Sequence, residues 1–204
     1  MKRYRFDEQL RSESGAVRLV GVDEAGRGPL AGPVVSAAVI LPEKPSQALK
    51  EIKDSKKLTP MMRERLYEVV RENAVCTAVG WAGPREVDRF NILQATFLSM
   101  KRALNRIQLP LEDSLVVVDG NRVIPGVKAP QCAVISGDDR SLSVACASVI
   151  AKVVRDRWLQ VLSRRHPEYG FERHKGYGTK DHYHAIERVG PCVEHRMTFL
   201  SRVL

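Results

Sequence analysis

The sequence predicts an α/β fold, and three observations predict it. Short Val- and Ala-rich runs of strand length alternate with longer stretches whose apolar residues recur at helical spacing. A glycine-bearing turn at residues 26–32 separates the first two such runs, the pattern of an antiparallel pair. The stretch 141–163 is apolar on most of its circumference and rich in small residues, which suits a central helix packed closely on a sheet. Residues 1–16 are charged and aperiodic and predict no element. Residues 17–22 read as a strand that delivers Asp23 and Glu24 at its carboxyl end, and 33–41 return as a second strand. A charged loop at 53–58 ends in Thr59-Pro60, a helix start with Thr as N-cap and Pro at the first helical position. That helix runs to about Asn73. Residues 74–81 predict a third strand, 92–107 a second helix, 115–118 a fourth strand ending at Asp119-Gly120, and 131–135 a fifth. No repeat, low-complexity tract or linker divides the chain, so residues 1–204 are expected to form one domain.

With 204 residues and 44% hydrophobic content the chain can bury one substantial core. A formal charge of +9 favours a polyanionic partner, nucleic acid or anionic membrane. The opening MKRYRFDEQL lacks an apolar signal core, and the longest apolar run, 34–41, is far too short to span a bilayer. A soluble, cytoplasmic protein with no membrane partner is expected, with a monomer as the simplest state. Cys76, Cys132, Cys146 and Cys192 form no C-x-x-C pair or disulfide framework and read as reduced packing residues. Trp81, Trp158 and the methionines read as core.

Function is concentrated in GVDEAGRGP, residues 21–29. Adjacent carboxylates ahead of backbone-exposing glycines and a guanidinium suit a site holding divalent metal on one side and phosphodiester on the other. A second strand also ends in acid, Val118 into Asp119, and Gly137-Asp138-Asp139 precedes the central helix. Turn chemistry and helix capping each explain one acid alone; their convergence would make a metal site. Strand alternation points Asp23 and Glu24 to opposite faces, so a shared site requires the chain to leave strand geometry between them. Clustered carboxylates repel unless a cation compensates, which implies Mg2+ or Mn2+. The histidines fit no H-E-x-x-H helix and no G-x-S-x-G element is present, which leaves metal-assisted phosphodiester hydrolysis. Gly26, Gly28 and Gly32 match a dinucleotide fingerprint only superficially, since Pro29 and Pro33 interrupt it and a strand follows. On the central helix Ser148, Lys152 and Arg155 form a polar stripe suited to holding phosphate or orienting ligands. Asp156 reads as structural, paired with Arg155, Arg157 or a helix end.

Five segments in order, DEAGRGPLAGP at 23–33, DSKKLT at 54–59, VVVDGN at 116–121, GDDRSLSVACASVIAKVVRDR at 137–157 and HKGYGTKDH at 174–182, resemble the type 2 ribonuclease H family, specifically bacterial ribonuclease HII. The resemblance covers nearly the whole chain. It implies a ribonuclease H-like fold, a mixed five-stranded sheet flanked by helices, and a helical, substrate-binding carboxyl-terminal region at about 165–204. It implies cleavage of the RNA strand of RNA/DNA hybrids and incision 5′ of single ribonucleotides in duplex DNA, by a two-metal mechanism leaving 3′-hydroxyl and 5′-phosphate ends. Carried over by position, the catalytic and metal-holding acids are Asp23, Glu24, Asp119 and Asp138, with Asp139 in a capping or solvent role. Gly26, Arg27 and Gly28 match the loop that senses the 2′-hydroxyl and contacts phosphate. Tyr177 matches a tyrosine stacked on the sugar of the following deoxynucleotide. The resemblance places Lys56, Lys57, Thr179, Lys180 and His182 near the substrate backbone; Ser148 and Lys152 are added as substrate contacts from the helix stripe alone. Recruitment by a polymerase clamp is left open, and the rival reading is a noncatalytic nucleic-acid-binding module of the same fold.

Overall fold

The computed structural model describes residues 2–50, 52 and 59–201. Strands β1 (Arg18–Ala25) and β2 (Val34–Ile40) pair antiparallel across the predicted turn, from Val20 opposite Ile40 to Ala25 opposite Val35. Strand β3 (Cys76–Ala82) continues antiparallel beyond β2. On the other side of β1, β4 (Ser114–Asp119) and β5 (Gln131–Val134) add in parallel, completing a mixed five-stranded sheet ordered β3-β2-β1-β4-β5.

Helix α6 (Leu142–Arg165) covers one face and α4 (Pro84–Leu104) the other. Along β2, Ala37 and Val39 join the α6 side while Ala38 and Ile40 join Phe97 and Met100 of α4. Both faces are therefore buried, which is why β2 is apolar apart from Ser36, whose buried hydroxyl pairs with that of Ser99, and shows no polar alternation. Close approach is built in at Gly21, where a Cβ would stand 2.1 Å from the Ser143 carbonyl carbon. Around this core lie α2 (Gln47–Lys50) and α3 (Pro60–Asn73), the latter capped by Thr59 as predicted. The short α5 (Gly137–Arg140) precedes α6, and α7 (Phe171–His174), α8 (Lys180–Val189) and α9 (Met197–Leu200) make the helical carboxyl-terminal region.

Several expectations are corrected. Residues 2–14 form a helix, α1 (Lys2–Ser14), whose buried Asp7 accepts the Ser143 N–H at 2.8 Å at the start of α6, while Phe6 and Leu10 pack beside β4. Helix α4 starts well before residue 92: Glu86 accepts the Gly83 N–H at 2.9 Å, and a break at Asn91, with φ 66°, hides the first turns from a periodicity reading. Met61, Met62 and Met197 are exposed, and Trp81 lies at the surface against Trp158, ring centres 5.5 Å apart, rather than in the core. All four cysteines are free. Among the described residues no helix is long and apolar enough to cross a membrane.

Candidate active site

The parallel pairing of β1 with β4 ends at Val22 opposite Val118, so Asp23 and Asp119 emerge side by side at one sheet edge. The chain does not leave strand geometry between Asp23 and Glu24, contrary to the sequence argument: β1 remains paired with β2 through Ala25. The two carboxylates instead straddle the edge. Asp23, 4% exposed, accepts a hydrogen bond from Ser148 of α6. Glu24 lines a cavity of about 180 Å³ on the α4 side with Leu93, Phe97, Met100, Asp119 and Arg122. Asp119 sits near enough to act on both. Its Oδ1 also accepts the Gly137 N–H at 2.6 Å, tying α5 to the end of β4 and bringing in Asp138, which is 6% exposed. Asp139 points away, to Arg3 at 3.1 Å.

Burial, then the charges of Glu24 and Asp119, push the Asp23 carboxyl well above the usual range. Glu24 is raised by burial and Asp119 while Arg27, 3.4 Å away, opposes the shift. Among the described residues no three His, Cys, Asp or Glu side chains are gathered closely enough to hold a metal ion as they stand. The donor chemistry nevertheless fits a hard divalent cation: the side chains are oxygen donors, partly withdrawn from water, whose mutual repulsion raises Asp23 and Glu24.

Beside the acids, the 26–33 loop is held from beneath by two buried guanidiniums. Arg155 donates to the carbonyls of Pro33 (3.0 Å), Ala31 (3.2 Å) and Lys175 (3.0 Å). Arg196 donates to those of Gly26 (2.6 Å), Arg27 (2.9 Å) and Gly32 (2.9 Å). Gly26 is required here, because its φ is +98° and a Cβ would stand 2.0 Å from Arg155 Nε. Arg155 thus supports the loop and is no phosphate ligand, which corrects the polar-stripe reading. Lys152 bonds Asp156 at 2.7 Å, and Asp156 also pairs with Arg63 at 3.5 Å rather than with Arg155 or Arg157.

A family model described as ribonuclease HII matches residues 20–202. The chain belongs to the ribonuclease HII family. The ribonuclease HII of Syntrophotalea carbinolica is 50% identical over 194 residues, covering 95% of this chain and 90% of that one. Among solved structures, the ribonuclease H2 of Pyrococcus horikoshii OT3 matches with a TM-score of 0.73 at 29% identity, over 89% of this chain and 93% of that one. The RNase HII of Archaeoglobus fulgidus, solved in complex with PCNA, matches with a TM-score of 0.72 at 28% identity, over 89% and 94%. Membership makes this protein a nuclease of the ribonuclease H type with a ribonuclease H-like fold.

The carboxyl-terminal region meets the 26–33 loop directly. Leu30 N–H donates to Gly176 O, Gly32 N–H to Glu194 O and Arg196 N–H to Leu30 O. Tyr177 is 47% exposed and lies against Gly28, where a Cβ would stand 3.7 Å from Tyr177 Cε1. Thr179 caps α8, accepting the His182 N–H at 3.3 Å, and Lys180 is exposed on the first turn. His182 is 0% exposed and is not placed to touch a nucleic acid; it sits behind the Tyr177 segment. Lys56 and Lys57 lie outside the described residues. Sequence reasoning missed Arg196, His195 and Asp88, whose carboxylate accepts Met197 N–H, Thr198 N–H and the Thr198 hydroxyl. The HRMTF segment holding His195 and Arg196 carries no spacing that announces burial, and Asp88 lies in α4 with no local signal at all.

Burial lowers His182 and His195 to about 4 from an ordinary value of 6.5. Between those values the unfolded chain binds protons that the folded one does not, so stability is lost as pH falls through this window. Asp23 and Glu24, being raised, act in the opposite direction. Urea midpoints at about pH 7 and pH 5 should therefore drop more for the native protein than for His195→Gln, by up to about 2 kcal/mol. Equal pH slopes would count against neutral buried rings.

Proposed function

We propose that the protein is an endoribonuclease that hydrolyses the RNA strand of RNA/DNA hybrids and incises 5′ of single ribonucleotides in duplex DNA, leaving 3′-hydroxyl and 5′-phosphate ends. The observation that carries this reading is the emergence of Asp23 and Asp119 from adjacent parallel strands, beside a glycine loop that touches Tyr177. When bound by Asp23, Glu24, Asp119 and Asp138, Mg2+ or Mn2+ in a two-ion arrangement supplies water activation and stabilisation of the leaving 3′ oxygen.

The rest is work for the chain itself. Ser148 orients the Asp23 carboxylate through its hydrogen bond, and Lys152 adds positive charge on the same helix. Arg27, half-exposed, reaches phosphate from the loop, while Gly26 and Gly28 let main-chain groups approach the 2′-hydroxyl that DNA lacks. Tyr177 stacks on the sugar that follows the ribonucleotide, and Thr179 with Lys180 meets the backbone beyond it. The net +9 charge supplies long-range attraction to the duplex. A single domain acting as a cytoplasmic monomer fits this role.

The test is incision of a DNA duplex holding one ribonucleotide, with Mg2+, Mn2+ or EDTA, beside an all-DNA control and an RNA/DNA hybrid. Metal-dependent cutting 5′ of the ribose supports the reading; binding without cleavage under every metal would point to a noncatalytic module. Tyr177→Ala should slow incision at the single ribonucleotide about tenfold or more, given the usual worth of an aromatic stack, with a smaller effect on the hybrid. An unchanged ratio of the two rates would remove Tyr177 from junction reading.

A further inference from the structure

Three histidines lie buried behind Tyr177, in a region otherwise closed by Tyr169 and Phe171. Imidazoles are costly to bury unless their nitrogens are paired; here His182 and His195 are paired in one continuous chain and His174 has partners of its own. Cys192 N–H donates to His195 Nδ1 at 3.0 Å, His195 Nε2 meets His182 Nε2 at 3.0 Å, and His182 Nδ1 meets the Tyr177 carbonyl at 2.9 Å. The Tyr177 carbonyl can only accept, so His182 carries its proton on Nδ1 and its Nε2 accepts from His195 Nε2. His195 Nδ1 has the Cys192 N–H as its nearest neighbour, with the Cys192 carbonyl and thiol farther off at 3.3 Å, so it accepts and the proton of the ring is on Nε2. The central contact then has one donor and one acceptor, and both rings are neutral. His174, stacked on His182 with ring centres 4.4 Å apart, obeys the same logic: Gly176 N–H donates to its Nδ1 and its Nε2 meets Tyr169 O.

We propose that His182 and His195 are positioning residues for junction recognition, holding Tyr177 against Gly28 through this one-directional chain. The inference rests on the role proposed for Tyr177. The Tyr177 N–H is bound to His174 O, and its carbonyl accepts from both Thr179 N–H and His182. With N–H and carbonyl both pinned, the Cα–Cβ bond has one direction, toward the glycine loop. Plain core packing would need neither donors nor a fixed tautomer, and a phenylalanine would serve.

The first test needs no variant and no activity. Long-range nitrogen–proton correlation spectra of the full-length protein at neutral pH should show His182 protonated on Nδ1 and His195 on Nε2; the opposite tautomer or a cation on either ring overturns the relay. The second is kinetic. His182→Phe should slow incision at a single embedded ribonucleotide about tenfold, as expected when a contacting group is misplaced, while the hybrid-tract rate changes less. His182→Asn, whose amide can still donate to the Tyr177 carbonyl, should recover most of that loss. Adding Tyr177→Ala to His182→Phe should cost nothing beyond Tyr177→Ala alone; additive losses, or equal losses on both substrates, overturn the proposal. If the native protein cuts neither substrate, the functional reading fails, while the tautomers still decide the relay.

Discussion

Asp23→Asn is expected to abolish cleavage and, at the same time, to raise the melting temperature of the metal-free protein. The two effects share one cause. Asp23 is buried beside Glu24 and Asp119, and burial and their charges both oppose its ionisation. A carboxyl whose folded value lies above its unfolded one costs stability at neutral pH and returns it as pH falls, so replacing it with a neutral amide of the same shape removes a cost. In a domain of this size each kcal/mol so relieved raises the melting temperature by about 2–4 °C. The Glu24 N–H, 2.7 Å from Asp23 Oδ1, keeps its acceptor in the amide. Activity moves the other way, because an amide cannot supply the charge that draws a divalent ion; a loss of about a thousandfold or more is expected. Asp119→Asn should likewise abolish cleavage, and binding of the hybrid should survive in both. Thermal melts with EDTA and with Mg2+, run beside cleavage assays, check this: Mg2+ should raise the native midpoint and leave that of Asp23→Asn unmoved. Turnover retained within tenfold would remove Asp23 from the metal-holding set.

Arg196→Met is expected to have the largest effect on stability. The methionine fills much of the volume, but it strips donors from the carbonyls of Gly26, Arg27 and Gly32. Removing a buried cation recovers some desolvation energy, and Arg155 nearby gains from the loss of a like charge. The carbonyls decide the sign, because each loses its buried partner at about 1–3 kcal/mol and the tightly packed loop offers no substitute. A net loss of about 3–5 kcal/mol follows, or a fall of about 10 °C in melting temperature. Arg196→Lys should rescue little, since one ammonium cannot reproduce a planar fork aimed at several oxygens. Incision at a single ribonucleotide should fail under conditions where the variant is still folded by circular dichroism. A variant that melts normally would show that the loop holds its shape without this support.

What could be read from the chain alone was local. Apolar runs between Gly, Pro and Asp signals announced β1 to β5, and Thr59-Pro60 announced α3, because caps and turns act within a few residues. Asp23, Glu24 and Asp119 were visible as acids at strand ends for the same reason. The misses concern contacts between distant segments. Helix α1 is polar enough to look shapeless, and its place depends on Asp7 capping a helix that begins at Leu142. Asp23 and Glu24 straddle the sheet edge without a break in β1, because β4 ends alongside and leaves Asp119 near both. Arg155 was assigned an outward role by helical spacing and His182 by the family resemblance, whereas loop carbonyls from far along the chain draw Arg155 inward and the nearby Tyr177 carbonyl, with the distant His195 ring, draws in His182.

The hold of Arg196 on residues 26–32 also sets an order of events during synthesis. The sheet edge bearing Asp23 and Asp119 can assemble once β4 has been made, and Asp138 follows shortly after. The glycine loop beside them gains its first guanidinium support from Arg155 and its second only when the later HRMTF segment closes back across the molecule. A growing chain would thus carry its acids well before the loop beside them is fully held, and whatever that loop contributes would be acquired after the acids are in place.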